Sequence, residues 1–364
     1  MNGFTGSYNN NEVQFLVQKL PLDSNNMTNI ERETLIQAGG FHYSDLPPIE
    51  HKPSKYHMSI YKEALNDSAQ RIADEVMQLA MTIKRHAANK EHGIVLVSLI
   101  RAGVPLGCCL KEALMQLGMV AEHYAISIVK DRGLDEQAMQ TLEQHHRKEE
   151  LYFIDGWVGK SAVCNELTRS LQLRGGYPKQ PQFVVLADPS GYAWLSASRE
   201  DWLIPFGILG APISGLLSRT IWKDDGYHGC IMYDALTNID QSTAFLKTIY
   251  GFLSKPLTND VLPLGISRES LLARRCCLLT MKAISTKFDV RSVNLIKPGI
   301  AEATRAVMRR APELIIVKDK TDTNLKLLFN LAYKASVRIV EDPVITGPYK
   351  AVTIIKDIRA IVNQ

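Results

Sequence analysis

ELYFIDGWVGKSAV, residues 150 to 163, decides how the rest of the chain is read. Leu151, Tyr152, Phe153 and Ile154 form a short apolar run of the kind that builds a strand buried on both faces, and Asp155 ends it. Gly156 and Gly159 then open a turn, and Ala162, Val163, Leu167 and Leu171 predict a helix after it. The Gly159-Lys160-Ser161 triplet is not a Walker A loop, because Ile154 stands where that motif needs its first glycine. Strand, glycine turn and helix start still make an anion site, since the N–H groups of a first helical turn are unpaired and the helix dipole favours negative charge. Asp155 suits a ribose hydroxyl pair or a magnesium ion, and Lys160 and Ser161 add donors for a phosphate. The plain alternative is an ordinary strand-to-helix turn with a solvated lysine.

On either side, strand and helix signals alternate. A long helix is expected over 56–88, where Ile72, Val76, Leu79, Ala80 and Ile83 recur near a 3.6 period. GIVLVSLI (93–100) reads as a buried strand, RAGVPLG (101–107) as a turn, 108–117 as a helix, 120–129 as a strand, and 183–187 as another. This order predicts an α/β fold with a mainly parallel sheet flanked by helices, whose ligands bind at the C-terminal ends of strands. The loops 101–107, 130–137 and 155–161 are therefore the ones to watch. Residues 1–55 read as an irregular N-terminal extension, 56–255 as the main domain, and 262–364, beyond the punctuated stretch 251–263, as a small α/β/α sandwich. In that sandwich helices are expected over 270–287, 300–311 and 324–335, strands over 290–295, 314–317 and 336–339, and a last segment of either kind.

Composition bounds the function. The apolar stretches are too short to span a bilayer, and the start MNGFTGSYNNNEV lacks the basic and apolar regions of a signal peptide, so a cytoplasmic protein without membrane contact is expected. The six cysteines form no CxxC pair and no clustered histidines accompany them, so neither structural metal nor disulfides are expected. Cys108, Cys109, Cys276 and Cys277 lie in helix-like apolar patterns and read as small core residues. From Pro256 onward there are 18 Lys and Arg against 10 Asp and Glu, while residues 1–255 carry 24 against 28. That asymmetry points to a polyanionic partner for the C-terminal part, or else to a solvated basic surface.

The core of VSLIRAGVPLG (97–107) resembles the pyrophosphate loop of type I phosphoribosyltransferases, and YFIDGWVGKSA, about fifty residues on, resembles that family's ribose 5'-phosphate loop. The resemblance implies magnesium-dependent use of phosphoribosyl pyrophosphate. Arg101, Ala102, Gly103 and Val104 would face its pyrophosphate, Asp155 its ribose diol, and Gly156, Gly159, Lys160 and Ser161 its 5'-phosphate. Lys130 and Arg132, in SIVKDRGLDEQAM (127–139), take the place of the loop that neutralises the leaving pyrophosphate. The family's loop has two adjacent acids; here Gly156 stands for the second. LIKPGIAEATRAV (295–307) followed by APELIIVKDKTD (311–322) looks like the Pelota and ribosomal kink-turn-binding type of RNA-binding domain. Gly299, Glu302, Thr304 and Arg305 match its signature, whereas Ala301 replaces its asparagine.

Over nearly its whole length the chain is similar to a bacterial family found with tellurium-resistance operons, in a stress-response context. FTGSY, GGFHYSDLPPIEHKPS (39–54), LADPSGYAWLSASREDWLIP and SGLLSRT (214–220) carry that likeness. Its members bear two labels: a phosphoribosyltransferase domain joined to a Pelota-type domain, and a StiP-type cysteine protease. The first implies an acceptor pocket, for which Asp188, Ser190, Ser214 and Arg219 are candidates, though Asp188 reads equally as a helix cap and Arg219 as a surface ion pair. The second needs a thiolate with a histidine, Cys108 or Cys109 with His42, His123 or His228. A chain that binds nucleotides or RNA without turnover is the third reading. Phosphoribosyl pyrophosphate and RNA are thus the expected partners, and a homo-oligomeric assembly is left open.

Overall fold

The computed structural model describes residues 4–22, 27–46, 50, 52–90, 93–254 and 261–358. Ile94–Leu99 is buried at every position. It lies inside a six-stranded sheet ordered Gln14–Phe15, Ala121–Ile126, Ile94–Leu99, Leu151–Trp157, Phe183–Ala187 and Leu195–Ser198, with every pairing parallel. The runs IVLV, LYFI and FVVL are apolar without alternation because helices cover both faces of such a sheet. Lys55–Lys90 packs against Gly103–Gln116 and Ser242–Phe252, and its Ile72, Val76, Leu79, Ala80 and Ile83 are all buried. Each large side chain of that stripe contributes about 1.5–3 kcal/mol by leaving water.

The N-terminal stretch departs from the expected irregular extension. Phe15, Leu16 and Val17 enter the main core, and Gln18–Leu20 pairs with Gly229–Ile231. Strands this short carry no readable period. The helix expected over 108–117 begins earlier, at Gly103, so the turn after Ile94–Leu99 is only a few residues long. Pro105 fits there because the first N–H groups of a helix have no helical partner to lose. Gly103 is required, since a Cβ at that position would collide with the Ile154 carbonyl oxygen. Leu151–Trp157 continues past its apolar run and includes Gly156, which lies against the Phe206 ring and Ala102. The 127–139 segment is a small hairpin, Ile128–Val129 with Gly133–Leu134, leading to a helix capped by Asp135.

The C-terminal part has a four-stranded mixed sheet, ordered Ile296–Pro298, Ala351–Ile355, Pro312–Val317 and Arg338–Glu341. Its last segment is a fully buried central strand, and the strand expected over 290–295 is a 3-10 turn, Val293–Leu295, before Ile296–Pro298. Of the expected boundary 251–263, residues 255–260 lie outside the described residues.

The two parts dock through specific polar contacts. Asp201 accepts from the backbone N–H of Ile300 at 2.9 Å and of Lys350 at 2.7 Å. The Tyr349 hydroxyl donates to the Gly159 carbonyl at 2.7 Å, and Arg274 donates to the Gly191 carbonyl at 2.8 Å. Gly159 itself sits so close to the Pro298 carbonyl, 2.6 Å from where its Cβ would be, that only glycine fits without a shift.

Candidate functional site

The strand ends of the main sheet open into a cavity of about 1010 Å³ whose other wall is the C-terminal domain. Ten lysine and arginine side chains against six carboxylates line it, which makes it a site for anions. Arg101, Ala102, Lys130, Arg132, Asp155, Gly159, Lys160, Arg219, Glu302 and Arg305, all singled out by sequence, share that lining. Gly103, Val104, Gly156 and Ser161 do not; the first three are held in close packing and Ser161 starts the helix Ala162–Arg174. Asp188 accepts from Ser190, Gly191 and Ala193 in a closed buried turn, and Ser190 adds a bond to the Val158 carbonyl, so neither faces the cavity. Ser214 bonds the Gly210 carbonyl at 2.9 Å and is buried.

Asp155 carries the chemistry nearest to the sheet. Burial pushes its carboxyl up to about 7, against the pull of the Gly156 N–H and of Arg305. Lys160 does not reach into open space: its amine donates to the carbonyls of Val293 and Ile296, both at 2.8 Å, and burial together with Lys297 lowers it to about 7. Arg132 is ion-paired with Asp45 and lies over the Trp222 ring at 4.1 Å. Arg219 donates to the Tyr43 carbonyl at 2.7 Å and is lowered by burial to about 10. The Lys130 backbone N–H donates to the Tyr43 hydroxyl at 2.9 Å. Residues 43–45 of the FHYSDL stretch thus strap the 128–134 hairpin to one rim of the cavity.

Glu50 is the residue that sequence reasoning passed over. It pairs with Arg101 at 3.1 Å, accepts from the Ala211 N–H at 2.7 Å and lies 3.6 Å from Arg309. Burial alone would raise its carboxyl, yet Arg101 and Arg309 hold it down to about 2. No local pattern marks it, since its partners are 51 and 259 residues away. Trp157, in the middle of the loop motif, packs on Phe206 and Gly207 and carries the Arg305 guanidinium over its ring at 5.4 Å.

The signature residues of the C-terminal domain face inward or are buried. Gly299, with a positive φ of 87°, starts the helix Ile300–Arg309, and Asp201 of the main domain takes up the Ile300 N–H. Thr304 is buried, whereas Glu302 and Arg305 line the cavity.

Cysteines are absent from the cavity lining. Cys108, Cys109, Cys164, Cys230 and Cys277 are buried, whereas Cys276, expected in the core, is exposed on the helix Arg268–Lys287, whose other side carries the buried Cys277. Cys108 Sγ lies 3.8 Å from His123 Nδ1. That nitrogen is also 2.8 Å from the Glu12 carbonyl, which only accepts, so Nδ1 holds the proton; Nε2 lies 2.7 Å from the Ser98 hydroxyl, whose one proton is shared with the Gly103 carbonyl at 3.0 Å. Burial lowers His123 to about 3 and raises the Cys108 and Cys109 thiols. His228 is bonded to Ser127 and His42 to Ser44, both at 2.7 Å.

Residues 6–250 match the family described as "Tellurite-like stress resistance cysteine protease StiP". The chain belongs to the StiP family. Residues 276–357 match the PELOTA RNA binding domain. The cysteine protease StiP of Acinetobacter baylyi is 38% identical over 372 residues, covering 97% of this chain and 94% of that protein. Two solved structures of hypoxanthine phosphoribosyltransferase from Trypanosoma cruzi are similar at 16% identity. One, with a TM-score of 0.31, covers 44% of this chain and 87% of its own. The other, a mutant with the product IMP, has a TM-score of 0.30 and covers 49% and 88%. In this StiP family chain all four cysteines within the matched region, Cys108, Cys109, Cys164 and Cys230, are buried. Among the described residues no helix is long and apolar enough to cross a membrane.

Proposed function

We propose that the cavity binds phosphoribosyl pyrophosphate and that the chain transfers its ribosyl group to an acceptor. The observation that supports this reading is the convergence of the 100–102 turn, Asp155 and the 158–160 turn on one basic cavity at the ends of parallel strands. In the reaction the bond from the ribose C1 to pyrophosphate breaks, pyrophosphate leaves with the electron pair, and the acceptor adds to C1 and gives up its proton. Positive charge grows on the ribose ring, so an ionised Asp155 beside it would be stabilising. Charge on the departing pyrophosphate would be met by the cations of the lining, Lys130 among them. Among the described residues no three His, Cys, Asp or Glu side chains converge as a metal site. Magnesium, which holds few protein ligands and neutralises phosphate charge, would therefore be carried by Asp155 and the ligand's own phosphates.

A second reading follows from the family's description and the Cys108–His123 contact: proteolysis by Cys108. It requires a thiolate–imidazolium pair to form where both groups are stripped of water, with the facing nitrogen already protonated. A conformational change that exposes Cys108 would have to come first.

Titration calorimetry with phosphoribosyl pyrophosphate and magnesium separates the two. Saturable binding by the wild type, weakened by about tenfold or more in Asp155→Asn and kept in Cys108→Ala, is expected. No binding by the folded wild type would overturn the transferase reading. A casein-cleaving activity lost in Cys108→Ala and kept in Asp155→Asn would establish the other.

A further inference from the structure

The cations contributed by the main domain are largely engaged within the protein. Arg101 is held by Glu50, Arg132 by Asp45, Arg219 by the Tyr43 carbonyl, and Lys160 by two carbonyls of the C-terminal domain. On the opposite wall Arg310 is paired with Glu33 and Arg309 lies 3.6 Å from Glu50, but Lys297 and Arg305 are less tightly held. Glu302, Arg305, Ala306 and Arg309 line the cavity from one face of the helix Ile300–Arg309, at spacings of three and four residues. Lys297, on the adjoining strand Ile296–Pro298, lines it too; among the described residues its amine makes no hydrogen bond and no ion pair within 4.0 Å, Glu302 and Glu33 acting on it only from farther off. Arg305 has a carboxylate no nearer than Glu302 at 3.8 Å and otherwise lies over Trp157.

We propose that Lys297 and Arg305 are the principal anion-binding side chains of the cleft, receiving a phosphate or diphosphate of a small ligand, so that the Pelota-type domain completes the site instead of binding RNA on a separate face. This rests on reading the cleft as a phosphate site, and it names where the free charge comes from. The cavity has the size of a nucleotide-class ligand, not of a folded RNA. The helix start that would present N–H groups to an RNA phosphate is already filled by the Asp201 carboxylate. Burial, with Arg310 beside it, lowers Lys297 to about 8 against the pull of Glu302 and Glu33, so it is still largely charged at neutral pH, and an arriving anion would raise it again.

The test is calorimetry of the full chain with inorganic pyrophosphate, and separately with phosphoribosyl pyrophosphate and magnesium, comparing wild type, Lys297→Met, Arg305→Met, Arg305→Lys and the exposed control Lys282→Ala. Pyrophosphate affinity falling by about tenfold or more in both methionine variants, partly restored in Arg305→Lys and unchanged in the control, is the expected result. Near-ultraviolet circular dichroism confirms that each variant is folded. Methionine variants that bind pyrophosphate within about twofold of the wild type would overturn the proposal while leaving the transferase reading standing. Lys297-dependent pyrophosphate binding without binding of phosphoribosyl pyrophosphate would support it and sink that reading. Absence of pyrophosphate binding by the wild type, or binding of a 5'-phosphorylated RNA in its place, would overturn it.

Discussion

Asp155, in the strand Leu151–Trp157, and Lys160, in the turn after it, lie five residues apart and respond to pH in opposite senses. Folded Asp155 keeps its proton up to about 7, whereas in the unfolded chain it loses it near 3.8. Between those values the folded state binds more protons, so this group lowers stability as pH rises through that window. Folded Lys160 loses its proton near 7 and the unfolded lysine near 10.5, so it adds stability as pH rises from 7 upward. Urea unfolding of Asp155→Asn should accordingly show a flatter fall in stability across the acidic window than the wild type; identical slopes would mean that Asp155 is solvated and ionised. The acid was legible in the sequence because it ends an apolar run. That Lys160 turns its amine to Val293 and Ile296 was not, because those carbonyls lie more than 130 residues away and carry no side-chain signal.

The 158–161 turn is where two elements meet, and Gly159 is its tightest point. A Cβ there would meet the Pro298 carbonyl at 2.6 Å, a backbone atom that moves only if the C-terminal strand moves with it. Gly159→Ala should cost about 1–3 kcal/mol in urea unfolding, the range of an overpacked core, and should weaken anion binding in parallel. An unchanged midpoint would show that the domains can separate by a few tenths of an ångström without loss. Strands such as Ile94–Leu99 and Phe183–Ala187 were readable because both faces are buried and the apolar run is continuous. The helix beginning at Gly103 is not legible in the sequence, because Gly-Val-Pro-Leu-Gly has the composition of a turn; its close approach to the Ile154 carbonyl, which no Cβ would allow, involves a residue 51 positions away.

For the whole molecule the decisive contact is Asp201, whose carboxylate accepts from both Ile300 and Lys350 across the domain junction. Burial pushes it up to about 6, so these bonds are strongest when it is ionised, above that pH. Asp201→Ala leaves two backbone donors without an acceptor and should cost about 1–3 kcal/mol or more, with faster amide exchange over 296–302 and easier proteolysis between the domains. Unaltered exchange there would mean that the junction is held by the remaining contacts alone. The alternation of buried strands and helices, the acid-and-glycine loop, the basic C-terminal surplus and the Pelota-type signature were all set by local sequence, since each depends on burial or charge within a short span. Tertiary structure decided what those parts do together: it turned the signature helix inward and buried every cysteine but Cys276. It also engaged Arg101, Arg132 and Lys160 within the protein and left the Lys297 amine with no hydrogen bond or close ion pair among the described residues. Which charges are neutralised depends on side chains brought together from distant parts of the chain, and that is fixed only when the two domains dock.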